Sequence, residues 1–199
     1  MFFIGIDPGV SGGIACVTDA GNALAVKMPA TDRDVLDAIK AFVRTATVAG
    51  DTAKAVLERV SSSPQMGVVS AFTFGRGVGA LRMALTAAKV PFDEVTPQKW
   101  QKATGCLTGG DKNISKRRAQ QLFPSITVTH AIADALLLAE YCRRVERGSG
   151  NDQREVQRDG KEEGSGAAQG HTETAAQGSR TVQGGRRAGK AHAQAQRPR

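Results

Sequence analysis

The run Phe2-Phe3-Ile4-Gly5-Ile6 ends on an acid, Asp7. Pro8-Gly9-Val10-Ser11-Gly12-Gly13 then separates it from a second apolar run, Ile14-Ala15-Cys16-Val17. Few folds accommodate that pattern. Consecutive apolar residues suit a strand covered on both faces, and the glycine-rich break suits a hairpin that returns the chain beside it. A carboxylate at the end of a buried strand is costly unless something cationic meets it. Two readings of Asp7 therefore stand side by side: an acid that caps its own Pro-Gly turn, or a member of a charged site at the rim of the first strand.

Downstream, the Gly21-Asn22 turn signal enters a third strand over 23–28, which Pro29 closes. Thr31 is placed to cap a helix over 32–47 with Val35, Ile39, Phe42 and Val43 on one stripe. A short apolar strand over 55–60 again carries an acid near its end, Glu58, and 61–67 is a loop by composition. The spacing predicts a long helix over 68–90, with Val69, Phe72, Leu81 and Leu85 available for packing. Gly75, Gly77 and Gly79 weaken its middle by up to ~1 kcal/mol each, which implies the close approach of a neighbouring helix or of a ligand backbone, the helix being the simpler cause. A fifth strand over 92–96 stops at Pro97, and a short helix begins at Gln98. A glycine-rich loop over 105–111 leads to a helix over 114–122 with Lys112, Lys116, Arg117 and Arg118 around its start. A last helix, which Thr129 is placed to cap, runs from 130 to about 144. The order is close to βββαβαβαα, an α/β fold with one central, mixed five-stranded sheet flanked by helices.

Of 199 residues, those from 148 onward include no Phe, Trp, Tyr, Leu, Ile or Met, too little apolar surface to offset chain entropy. The expected organisation is thus one domain over 1–147 and a disordered, basic, Gly/Gln/Ala-rich tail over 148–199. A formal net charge of +8 points to a polyanionic partner. From Arg180 on, the tail carries six cations and no acid, which suits either nucleic-acid binding by counterion release or a solubilising end. Three scattered cysteines, no basic leader and no run long enough to span a bilayer point to a soluble protein of the reducing cytoplasm.

Asp134 interrupts the apolar face of the last helix in Ala131-Ile132-Ala133-Asp134-Ala135-Leu136, with His130 four residues earlier on nearly the same face. Taken singly, Asp134 fits a structural ion pair and His130 a cap or surface group. Together with Asp7 and Glu58, they form a set that would repel itself without a cation. Mg²⁺ (or Mn²⁺) suits such oxygen-rich donors, and two ions ~3.5–4 Å apart clamp the attacking and leaving oxygens of a phosphodiester displacement.

Ile4-Gly5-Ile6-Asp7-Pro8-Gly9, Leu57-Glu58-Arg59-Val60, Thr96-Pro97-Gln98-Lys99-Trp100 and Ala133-Asp134-Ala135-Leu136 occur in that order. Together they resemble the RuvC-type Holliday junction resolvases of the RNase H-like superfamily. Phe72-Thr73-Phe74-Gly75-Arg76-Gly77 and His130-(x)3-Asp134 resemble the phage branch. The resemblance implies a homodimer that nicks a four-way or branched DNA junction symmetrically, with Mg²⁺ or Mn²⁺ held by Asp7, Glu58, Asp134 and His130. Many relatives place the fourth ligand three residues before the last Asp, where this chain has Ala131. Lys99 would steady the charge on the cleaved phosphate. Arg76, Lys112, Lys116, Arg117 and Arg118 would contact DNA phosphates. Several relatives carry a junction-stacking aromatic where this chain has Ser61; Phe72 or Phe74 is available instead, although core packing is the expected fate of both. The alternatives are an RNase H-like nuclease acting on RNA or RNA–DNA hybrid, a non-catalytic junction-binding protein, and an actin-like ATPase, for which a second phosphate loop is lacking.

Overall fold

In the computed structural model, residues 1–62, 65–107 and 109–162 are described. Ser63 and Pro64 of the expected 61–67 loop, Thr108, and residues 163–199 of the expected tail lie outside them. β1 (Phe2–Asp7) takes the centre of a five-stranded sheet. Its alternate side chains feed two cores: Phe3 packs into one with Val56, Val95, Trp100 and Leu136, and Ile4 and Ile6 into the other with Ile39, Leu57 and Leu85.

β2 (Gly13–Thr18) pairs antiparallel with β1, and β3 (Ala23–Lys27) antiparallel with β2. β4 (Ala53–Glu58) lies parallel to β1 on its other side, and β5 (Phe92–Val95) parallel to β4, giving the order β3-β2-β1-β4-β5. Parallel neighbours need long crossovers, and α1 (Asp32–Val48) and α2 (Val68–Ala87) supply them. Then follow α3 (Pro97–Thr104), α4 (Lys112–Leu122) and α5 (His130–Glu162), the three helices expected after the fifth strand.

Thr31 caps α1 as its sequence suggests. Its Oγ1 accepts from the Asp34 amide at 3.1 Å and donates to the Asp34 carboxylate at 2.7 Å. Thr31→Ala is expected to cost about 1 kcal/mol, a fall of roughly 2–4 °C in the thermal midpoint by circular dichroism.

The face opposite α1 is covered by α5. Its backbone lies so close to β1 that a Cβ at Gly5 would overlap the Ala135 carbonyl oxygen and the Ala139 amide nitrogen. At Gly13 a Cβ would stand 2.7 Å from the Ala131 carbonyl oxygen. Farther along α5, Glu146 pairs with Lys54 at 2.6 Å, and Lys54 also reaches Asp93 at 3.0 Å, tying the helix to β4 and β5.

Two expectations are corrected. The buried residues of α2 are Leu81, Ala84 and Leu85, whereas Val69 is 79% and Phe72 74% exposed. The glycines at 75, 77 and 79 have nothing within 4 Å of where a Cβ would stand, so no helix of the described residues packs there. Helical spacing marks an apolar face but does not say what covers it. α5 also runs past the expected end near residue 144 to Glu162, its last turns falling in the stretch read as tail. The Glu, Gln and Arg of 153–158 favour helix locally even without apolar surface to bury.

Candidate active site

Asp7 and Glu58 are the last residues of two parallel neighbours, and the register that pairs Ile6 with Leu57 sets their ends side by side. Strand alternation fixes their direction. Asp7 shares the parity of Phe3 and Gly5, and Glu58 that of Val56, so both belong to the face covered by α5. Asp134 stands on α5 between Ala131, which meets Gly13, and Ala135, which meets Gly5. The close approach of helix to sheet thereby brings the third acid to the first two.

The electrostatics record that convergence. Burial pushes the Asp7 carboxyl up to about 8, with the charges of Glu58 and Asp134 adding to the rise and Lys112 opposing it. Glu58 is raised by burial and by Asp134, against the hydrogen bond it accepts from Trp100. Asp134 is raised by burial, while a hydrogen bond from Ser115 and the charges of Lys112 and His130 pull it down. Asp134 Oδ1 is buried without a hydrogen-bond partner. No hydrogen bond reaches the Asp7 carboxylate among the described residues, so Asp7 does not cap its own turn.

Carboxylates are the donors a hard divalent cation takes, and a buried, unpartnered Oδ1 is an atom such an ion would satisfy. The residues fit Mg²⁺ or Mn²⁺ in kind. Among the described residues, however, no three His, Cys, Asp or Glu side chains already stand grouped tightly enough to hold a metal.

The other expected residues are distributed around this centre. His130 is exposed at the start of α5, where its charge acts on Asp134. Lys112 opens α4 and is the cation acting on both Asp7 and Asp134, while Lys99 is exposed on the first turn of α3. Arg76 lines a groove of about 720 Å³ with Gly9, Val10, Lys27 and Phe74, which begins two residues beyond Asp7. Phe72 is not core, and Phe74 lies over Gly9, its ring 3.6 Å from where a Cβ would be. Lys116 and Arg117 line a second pocket with Asn113. Arg118 is committed within the fold, its Nε donating to the Thr104 carbonyl at 2.8 Å.

Two residues given no role from sequence also belong here. Trp100 Nε1 donates to Glu58 Oε1 at 2.8 Å, and the buried Ser115 hydroxyl serves Asp134. Trp100 in a helix reads as core, and Ser115 lies among charges that hide it. The only advance signal was Trp100 falling inside the Thr96–Trp100 motif.

No family model matches the sequence, and no curated protein matches it. Solved structures do. RuvC of Thermus thermophilus is similar over 74% of this chain and 97% of its own, at 20% identity and a TM-score of 0.52. T. thermophilus RuvC in complex with Holliday junction substrate aligns over 71% of this chain and 91% of its own, at 20% identity and a TM-score of 0.48. At that identity it is the architecture that is shared: the chain has the RuvC-like, RNase H-like fold, a mixed five-stranded sheet flanked by helices, with the acids at the ends of its central strands.

Proposed function

We propose that this protein is a divalent-metal-dependent endonuclease that resolves four-way or branched DNA junctions by paired, symmetric nicks. The observation that carries the reading is the convergence of Asp7, Glu58 and Asp134, three partly buried carboxylates whose mutual repulsion a bound cation would offset. Asp7, Glu58 and Asp134 would hold the ion, with His130 completing the set by a turn of its exposed side chain. A bound divalent ion supplies Lewis-acid stabilisation of the phosphoryl oxygens and lowers the pKa of a bound water.

The chain's own residues do the rest. Lys112, whose charge already acts on Asp7 and Asp134, would hold the scissile phosphate, a role Lys99 could share from α3. Arg76 and Lys27 set two positive charges along the groove that leads from Gly9, and the open space over Gly75, Gly77 and Gly79 admits a nucleic-acid backbone. Phe72, exposed one turn before Arg76 on the same helical face, offers a ring for a base to stack on. Lys116 and Arg117 would add phosphate contacts, and a four-way junction, being two-fold symmetric, is matched by a homodimer that presents two such sites.

Labelled four-way junction, linear duplex and RNA–DNA hybrid, each with Mg²⁺ and with chelator, test the reading. Paired symmetric nicks on the junction alone, abolished by chelator, are expected. Cutting of the hybrid instead would move the substrate to RNA. Tight junction binding without cleavage in Mg²⁺ or Mn²⁺ would leave a binding protein and end the enzyme reading.

A further inference from the structure

Trp100 is wholly buried on α3, a helix started by Pro97 and held at its far end by Arg118, whose Nε donates to the Thr104 carbonyl. Its indole crosses from that helix to the end of β4 and donates Nε1–H to Glu58 Oε1 at 2.8 Å. A buried indole N–H takes some acceptor in any fold, and most often a carbonyl or hydroxyl would serve. Here the acceptor is one of three carboxylates of the acid cluster. The bond engages Oε1 and leaves Oε2 as the oxygen not taken by the indole. A carboxylate on a flexible side chain is thereby fixed at one atom, before any ion arrives.

We propose that Trp100 is a positioning residue for metal binding: its N–H orients the Glu58 carboxylate so that the other oxygen is presented to the divalent ion. The inference rests on the metal-dependent reading above and adds to it a partner outside the ligand set, of the kind whose loss weakens metal affinity or activity roughly 10- to 100-fold. Trp100 is the one tryptophan of the chain, so the contact also carries its own optical label. Paramagnetic Mn²⁺ bound at Glu58 is expected to quench its fluorescence saturably, and Glu58→Gln to abolish that response.

The decisive variant replaces the indole of Trp100 with its benzothiophene isostere, which keeps the shape and removes the N–H; Trp100→Phe serves as a second, smaller ring. Mn²⁺ affinity by calorimetry, the thermal midpoint in chelator, and kcat and KM on a four-way junction are measured for each. The expected result for the isostere is a 10-fold or greater loss of Mn²⁺ affinity and a matching fall in kcat at saturating junction and fixed Mn²⁺. KM for junction should stay near wild type, and the chelator midpoint should fall by no more than the loss of one hydrogen bond to a carboxylate accounts for, a few degrees. Unchanged Mn²⁺ affinity and kcat, with only a lower midpoint, would make Trp100 a packing residue and overturn the proposal while the nuclease reading stands. A wild type that neither binds Mn²⁺ nor cuts would overturn both.

Discussion

Asp7→Asn is expected to abolish nuclease activity and, in chelator at pH 8, to make the protein more stable than wild type. The Asp7 carboxyl is raised from its ordinary 3.8 to about 8 by burial and by the charges of Glu58 and Asp134. Between those two values the unfolded chain has released a proton that the folded one retains. Stability is therefore full below pH 4 as far as Asp7 is concerned, and is lost as pH rises through the folded value. Each unit of that window is worth about 1.4 kcal/mol, so the whole effect is on the order of several kcal/mol. Asparagine keeps the shape and never ionises, which should raise the midpoint at pH 8 by roughly 5–10 °C and flatten its decline between pH 5 and 8. Mg²⁺ should narrow the gap. An ion that binds only the folded wild type adds about 2.7 kcal/mol at 100 times its Kd, and Asp7→Asn has lost a ligand for it. Cleavage should fall by at least about 100-fold, the upper end of what losing even a residue outside the ligand set costs. Melting curves across pH, with and without Mg²⁺, check the prediction. A variant less stable than wild type in chelator at pH 8 would mean that Asp7 makes a favourable contact at its turn.

That inverse relation between stability and activity is why the acids were legible in the sequence. A carboxylate inside an apolar run violates the local pattern, and such violations mark function more often than structure. The end of β1 was legible too, because turn residues bound it, whereas β4 stops at Glu58, two residues short of the expected 60, and parallel register then sets Asp7 beside Glu58. What the sequence hides is whatever depends on which surface meets which. Trp100 and Glu58 are far apart along the chain, and nothing local tells a core indole from one bonded to a carboxylate. Lys112 looked like one of four cations at a helix start, and only the fold turns its charge toward Asp7 and Asp134 while turning Arg118 into the Thr104 carbonyl. The glycines show the limit most sharply. Three close together in α2 suggested a tight contact and face open space, whereas Gly5, in the middle of a strand, is where two backbones meet. A missing Cβ permits close approach without recording whether anything approaches.

Gly5→Ala tests that distinction with a single methyl group. The new Cβ would collide with the Ala135 carbonyl oxygen and the Ala139 amide nitrogen, and stand 2.8 Å from the Leu138 carbonyl carbon. All three are backbone atoms of α5, so no side chain can rotate away and the helix itself must lift. Lifting it strains the core of Phe3, Val56, Leu136 and Leu137 beneath. Overpacking a core costs about 1–3 kcal/mol where side chains yield; against rigid backbone a loss of about 3 kcal/mol or more is expected, a midpoint lower by roughly 6–12 °C. Activity should fall further than stability alone explains, because Asp134 rides on the displaced turn next to Ala135. Gly75→Ala is the matched control: the same added methyl, in open space on a helix, should stabilise by up to about 1 kcal/mol. Equal midpoints for the two variants would mean that α5 does not lie on β1 as closely as the structure has it, and Asp134 would then lose its place beside Asp7. A low midpoint for Gly5→Ala alone would show that the bare strand position, rather than the glycine-rich helix, is what lets a third carboxylate reach the other two.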